Sequence, residues 1–184
     1  METAKTADKK ESRQYQKSID LLNDAVGKEI ATSLQYMYFH THFEDSRYQF
    51  LSRIMREASI AEMRHIEELA DRIMYLEGDV DMNPSFATRQ ITEPADMLRM
   101  AMELEQSTID SYNKSSRLAS EYGDAVTHKM FQDLIVEEEE HLDTFRTELQ
   151  NLTDYGDEYL LQQSVAGSKH TAKQMKHRHH EHKE

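Results

Sequence analysis

Cysteine and tryptophan are absent from the 184 residues, proline occurs twice and glycine five times. Without cysteine the chain has neither a disulfide nor a thiolate-held metal, so any metal must be bound by His, Asp or Glu. So little proline and glycine leaves few helix breakers, and the Leu/Met/Glu/Lys/Arg-rich stretches between them read as long helices. No apolar run approaches the roughly 18 residues of a membrane span. The N-terminal METAKTADKKESRQYQ lacks the apolar core of a secretory signal, so the expectation is a cytoplasmic protein with no membrane partner. A net charge of −13 argues against nucleic acid as a partner and for cations.

The charge is uneven. Residues 168–184 carry five Lys/Arg, two Asp/Glu and five of the ten histidines, a segment of +3 that leaves −16 on the rest. With almost no apolar side chains, residues 167–184 are expected to be a disordered His-rich tail. Residues 1–15 read as a polar N-terminal extension, and residues 16–166 carry the folded domain.

Apolar periodicity marks four helices. Leu22, Val26, Ser33, Tyr36 and His40 share one face of the first, and Glu29 falls on it. Leu51, Met55, Ala58, Leu69 and Leu76 stripe the second, with Glu62 and His65 in line. Leu98, Ala101, Thr108, Tyr112 and Ala119 stripe the third, with Glu105. Phe131, Leu134, Phe145 and Leu149 stripe the fourth, with Glu138 and His141. Breaks fall at Glu44–Ser46, at Gly78 and at Tyr122–Asp124. Pro94 suits the first turn of the third helix, with Thr92 as its N-cap. After the second Tyr-Gly-Asp, at 155–157, EYLLQQSV reads as a short fifth helix. Two short turns and one long connection predict an all-α, antiparallel four-helix bundle with one long crossover.

Six polar groups therefore point into the core. The sequence separation from Glu29 to Glu62 is 33, as is that from Glu105 to Glu138; each His follows its Glu by three. Each glutamate pair is centred on its turn, so it sits level across its hairpin, roughly 24 Å from that turn at 1.5 Å per residue. The two hairpins repeat this pattern 76 positions apart. Buried carboxylates must be paired or bind metal. Two Glu-x-x-His motifs with two further glutamates suit a pair of hard-to-borderline ions, foremost iron. The neighbouring Glu137, Glu139 and Glu140 lie off the stripe, towards solvent or a cavity. Glu67, Glu68 and Glu77 read as surface, with Arg64–Glu68 and Glu68–Arg72 as i,i+4 pairs.

These residues resemble the ferritin-like di-iron carboxylate proteins, and within them the bacterioferritins. LLNDAVGKEIATSLQY, EMRHIEELADRIMYLEG, ADMLRMAMELE and EEEEHLDTFRTEL match the family's four helices, from about residue 16 to about 165. The resemblance implies iron storage by a ferroxidase. Glu29, Glu62, His65, Glu105, Glu138 and His141 would be the iron ligands, with Glu62 and Glu138 as bridges and Tyr36 as a neighbouring electron donor. One imidazole per ion is expected to make the two positions similar in affinity. Met63, one residue beyond Glu62 and about 100° from the ligand face, matches the ligand of a haem b held between two subunits. The resemblance also implies a homo-oligomer of 24 subunits built from twofold dimers, O2 or H2O2 as oxidant, and a ferredoxin as possible electron donor. Glu57 and Ala61 stand where relatives carry an inner-surface His and Asp for a further iron. Rival expectations are a peroxide-reducing erythrin-like protein, a manganese catalase, or a non-catalytic metal-buffering bundle.

Overall fold

The structure, a computed structural model, describes the backbone of residues 15–181 and the side chains of residues 15–166 and 168. It is an antiparallel four-helix bundle: α1 (Gln16–Asp45), α2 (Gln49–Tyr75), α3 (Pro94–Glu121) and α4 (Ala125–Glu181). α4 is broken at Gly156, where φ 51 and ψ −130 are open to glycine but costly for a side chain. The piece beyond Gly156 is the short fifth helix extended towards the C-terminus. It folds back on the bundle: Tyr159 donates to Glu148, and Gln163 Oε1 accepts from the Phe50 backbone N–H at 3.0 Å.

The turns follow from local chemistry. After α1, Arg47 adopts φ 64 and the Tyr48 N–H returns to the Phe43 carbonyl at 2.9 Å, satisfying an end-of-helix acceptor. After α2 the left-handed residue is Glu77, at φ 60, rather than Gly78. Gly78 is required for a different reason: a Cβ there would lie 2.9 Å from Ile19 Cγ2. The expected cap at Thr92 does not form. Glu93 precedes Pro94 at the N-cap position with no side-chain hydrogen bond, and Pro94 itself removes one of the N–H groups needing a partner.

The long crossover is strapped to α1. Asn23 donates to the Asp79 carbonyl and accepts from the Asp81 N–H. The Gly27 carbonyl accepts from Ser85 N at 2.8 Å. Gln35 both donates to the Arg89 carbonyl, at 3.0 Å, and accepts from its N–H, at 2.7 Å. The strap thus runs parallel to α1 and delivers α3 to the end of the bundle where α1 finished.

Two apolar clusters fill the bundle. One holds Tyr36, Phe39, Phe43, Leu51, Met55 and Phe145; the other holds Leu22, Val26, Leu69, Ile73, Phe131 and Leu134. Arg72 does not make the expected pair with Glu68. It crosses to Asp124, its Nη2 2.6 Å from Oδ1. Asp124 also accepts from the Thr127 N–H and hydroxyl, which caps α4. Asp124→Ala is therefore expected to cost about 3 kcal/mol in chemical denaturation, since it removes a cap and strands a buried guanidinium. A loss under about 1 kcal/mol would show that the pair contributes little.

The helix beyond Gly156 continues to Glu181, and residues 182–184, the end of the expected His-rich tail, lie outside the described residues. Ala172, Lys173, Gln174, Met175 and Lys176 favour helix, and the preceding turns supply the nucleus that an isolated segment lacks. Residues 1–14, which make up the proposed extension apart from Tyr15, lie outside the described residues.

Candidate metal centre

Between the two apolar clusters lies one polar layer. α1 supplies Glu29, α2 Glu62 and His65, α3 Glu105, and α4 Glu138 and His141. The equal 33-residue separations bring these to one level, as the spacing required. Five are essentially buried, and only the His141 side chain, 20 % exposed, reaches the surface. The six form two overlapping groups: Glu29, Glu62, His65 and Glu138, and Glu62, Glu105, Glu138 and His141, with the ligating atoms of each group within 4.8 Å of one another.

The shared members are Glu62 and Glu138, and each turns one oxygen to either imidazole. His65 Nδ1 lies 3.0 Å from Glu62 Oε2 and 3.2 Å from Glu138 Oε1. His141 Nδ1 lies 3.3 Å from Glu62 Oε1 and 3.5 Å from Glu138 Oε2. Both oxygens of Glu62 and of Glu138, Glu105 Oε2 and the two Nδ1 atoms are buried without an aligned hydrogen-bond partner. Seven such atoms in one layer are costly for a protein interior. A pair of divalent cations fits them, because carboxylate oxygens with one imidazole nitrogen per ion are a donor set for iron, manganese or zinc.

Electrostatics point the same way. Burial, then the charges of Glu138 and Glu62, push the Glu29 carboxyl well up; burial and Glu62 do the same to Glu105. Burial opposes a charged His65, but the carboxylates of Glu138 and Glu62 facing its Nδ1 outweigh it and raise the ring to about 11. His141 is raised likewise, burial again being overcome by Glu105, Glu138 and Glu62. For Glu138, burial is overcome by His141 and His65, bringing it down to about 2. In the metal-free centre burial and like charge thus favour the protonated forms of Glu29 and Glu105, and the facing carboxylates favour charged imidazoles, so cation binding here would compete with protons.

Two tyrosines orient the flanking glutamates. Tyr36 donates to Glu105 Oε1 at 2.6 Å, and Tyr112 donates to Glu29 Oε1. Sequence reasoning singled out Tyr36 and left Tyr112 as a core aromatic, although adding the 76-residue displacement to 36 gives 112. Burial first, then the adjoining glutamates, raises both phenols, so both remain hydrogen-bond donors. A second omission is Glu137. It is half exposed, yet its Oε2 lies 3.2 Å from His65 Nε2. Glu139 and Glu140 are exposed, as expected. Glu57, Ala61, Glu137 and Thr144 line a cleft of about 300 Å³ that reaches His141. Met63 is kept off the metal layer, with 51 % of its surface exposed.

A four-helix bundle whose core layer is four carboxylates and two imidazoles is a ferritin-like metal-carboxylate protein. The family model for the ferritin-like domain matches residues 19–154. Among curated proteins, the Brucella melitensis bacterioferritin is 31 % identical over 142 residues, 77 % of this chain and 88 % of that one. The Desulfovibrio desulfuricans bacterioferritin is 31 % identical over 154 residues, 83 % of this chain and 84 % of that one. The solved D. desulfuricans bacterioferritin, a structure of its diiron site in different catalytic states, superposes with a TM-score of 0.82 at 28 % identity, covering 84 % of this chain and 90 % of that one. The Rhodobacter capsulatus bacterioferritin, with a metal-free dinuclear site and a heme iron in a crystallographic special position, superposes with a TM-score of 0.76 at 27 % identity, covering 79 % and 91 %. The chain belongs to the bacterioferritin family.

Proposed function

We propose that the protein is an iron-storage ferroxidase: it oxidises Fe(II) at the paired centre and keeps the ferric product within a homo-oligomeric shell of 24 chains built from twofold dimers. The observation that carries this reading is the set of seven buried, unpartnered ligand atoms centred on Glu62 and Glu138. Two ferrous ions supply two electrons, which reduce O2 to H2O2, or H2O2 to water. The chain's own work is to bind and orient. Glu62 and Glu138 hold the two substrate ions side by side, and Glu29 and Glu105 close the layer from opposite ends. Their carboxylates are aimed by Tyr112 and Tyr36. Four carboxylates and two neutral imidazoles around two divalent ions make the filled layer formally neutral. Of the two phenols, Tyr36 is the one we assign as an additional electron donor. No helix among the described residues is long and apolar enough to cross a membrane, and the place of action we propose is the cytoplasm.

Mixing the metal-free protein with Fe(II) in air tests the reading. A fast phase saturating at two Fe(II) per chain, from a particle of 24 chains of 21.6 kDa, is the expected result. Iron that binds with no faster oxidation than in buffer would leave a metal-buffering bundle.

Haem b is the second group the family implies. Met63 fits it in one respect: a half-exposed thioether on α2, one residue beyond Glu62, needs a partner surface. The Met63 thioethers of two chains would hold the group between them, and the haem would supply a conduit for the electrons that release stored iron, with a ferredoxin as their source. Met63→Leu is expected to abolish the bis-thioether spectrum and the uptake of one haem per two chains. An unchanged spectrum would place the haem elsewhere.

A further inference from the structure

We propose that the two ion positions are unequal, the one beside His65 binding tightly and the one beside His141 weakly, because Glu137 backs the outer nitrogen of His65 and an alanine stands at the matching place behind His141. This rests on the two-ion reading of the centre.

The argument begins with the internal repeat. A displacement of 76 carries Glu29 onto Glu105, Tyr36 onto Tyr112, Glu62 onto Glu138 and His65 onto His141. It also carries position 61 onto position 137, and there the repeat fails: Ala61 against Glu137. Each residue stands immediately before a shared glutamate, so each is placed beside the imidazole supplied by the other hairpin. Glu137, on α4, reaches His65, on α2, with Oε2 3.2 Å from Nε2. Ala61 lines the cleft that opens onto His141, and it carries no polar atom to offer.

The consequence follows from how an imidazole binds a metal. His65 presents Nδ1 to the layer and turns Nε2 outward. A carboxylate accepting from Nε2–H fixes the tautomer, holds the ring plane and makes Nδ1 a better donor. Loss of such a partner typically weakens metal binding by ten- to a hundredfold. His141 also presents Nδ1 to Glu62, Glu105 and Glu138, but among the described residues its acidic contacts are all on that nitrogen. Access reinforces the difference. The His65 side chain is 1 % exposed against 20 % for His141, so the ring backed by carboxylate is also the one shielded from water. The equal affinity expected from one imidazole per ion therefore does not hold: the ligand types match, but what stands behind them does not.

Zn(II), which is redox-inert, reads this directly. Isotherms are taken on the assembled, full-length, metal-free protein, with the Glu62→Ala chain subtracted as background for the tail histidines and surface. Two steps of one ion per chain, at least tenfold apart, are expected. Glu137→Ala should weaken the first step by roughly ten- to a hundredfold and leave the second in place. Ala61→Glu should tighten the second. Glu137 is half exposed, so its removal leaves the packed core alone; a metal-free melt matching that of the parent chain checks this. Glu137→Gln, which keeps an acceptor oxygen without the charge, should fall between the parent chain and Glu137→Ala. Two ions bound with one affinity, or a Glu137→Ala effect spread equally over both, overturns the inequality while leaving the two-ion centre standing. Zn(II) binding identical in the Glu62→Ala chain and its parent overturns the two-ion reading itself.

Discussion

Replacing Glu62 with alanine is expected to slow initial Fe(II) oxidation by an order of magnitude or more while the shell still assembles. Glu62 belongs to both ligand groups and turns an oxygen to each imidazole. Its loss therefore takes a ligand from both ion positions and removes one of the two groups that hold the ions together. A tenfold loss corresponds to only about 1.4 kcal/mol of the barrier, less than the disruption of a positioned pair typically causes. His141→Ala should act in the same direction but empty only one position. Assembly should survive, because Glu62 is fully buried and presents nothing to a neighbouring chain. Stopped-flow oxidation rates measured alongside particle size decide the matter: unchanged rates in both variants would move the chemistry away from this layer.

The second large effect is a reversal of the pH dependence of stability on adding metal. In the metal-free chain, burial and the neighbouring carboxylates raise Glu29 and Glu105 above the roughly 4.3 of the unfolded chain. As pH rises through that value the folded state loses ground. His65 contributes in the same sense: its stabilisation is complete below about pH 6.5, where the unfolded ring is also charged, and is lost as pH approaches about 11. Glu138, held down at about 2, contributes above about pH 4.3 and matters only on acidification. Metal-free stability is therefore expected to fall between pH 6.5 and 9. With Zn(II) present the slope should turn positive, because the cations displace those same protons and bind more tightly as proton competition fades. At free metal a hundred times the dissociation constant, each position adds about 2.7 kcal/mol, which for a chain of this size raises the melting temperature by on the order of 10 °C. Parallel melting curves at pH 6.5 and 9, with and without Zn(II), give four midpoints. A metal-free midpoint that rises with pH, or a metal effect that shrinks with pH, would contradict the proton assignment.

The six candidate ligands could be read from the sequence because they combine two periodicities. Helical spacing put each on a core face, and the equal 33-residue separations put them at one height. Burial of unpartnered carboxylates then demanded a cation. What helical spacing cannot show is which side chain of a neighbouring helix comes within reach. Glu137 is a step off the ligand face of its own helix and reads as solvated; its role appears only when α2 is placed beside it. Arg72 reads as an i,i+4 partner for Glu68, yet a better acceptor, Asp124, waits at the start of α4. Tyr112 differs: the 76-residue repeat that placed the ligands also mapped Tyr36 onto it, so the signal was present. The crossover could be read as long but not as fastened. Its clasp consists of the side-chain amides of Asn23 and Gln35 acting on backbone groups, which apolar patterning does not register.

Each ion position draws its ligands from both hairpins: three of the first group come from α1 and α2 and the fourth from α4, while the second group takes Glu62 from α2 and the rest from α3 and α4. With the function proposed above, this would give the protein a timing safeguard during its own synthesis. The N-terminal hairpin is made first and carries three ligands, which leaves it short of either complete set. A half-made chain can at most hold a ferrous ion loosely; it cannot hold two side by side. Partially reduced oxygen is therefore not generated against an unfolded stretch of polypeptide. His141, the last of the six candidate ligands in chain order, lies on α4, so the second position would be complete only once the helix that closes the bundle has been made.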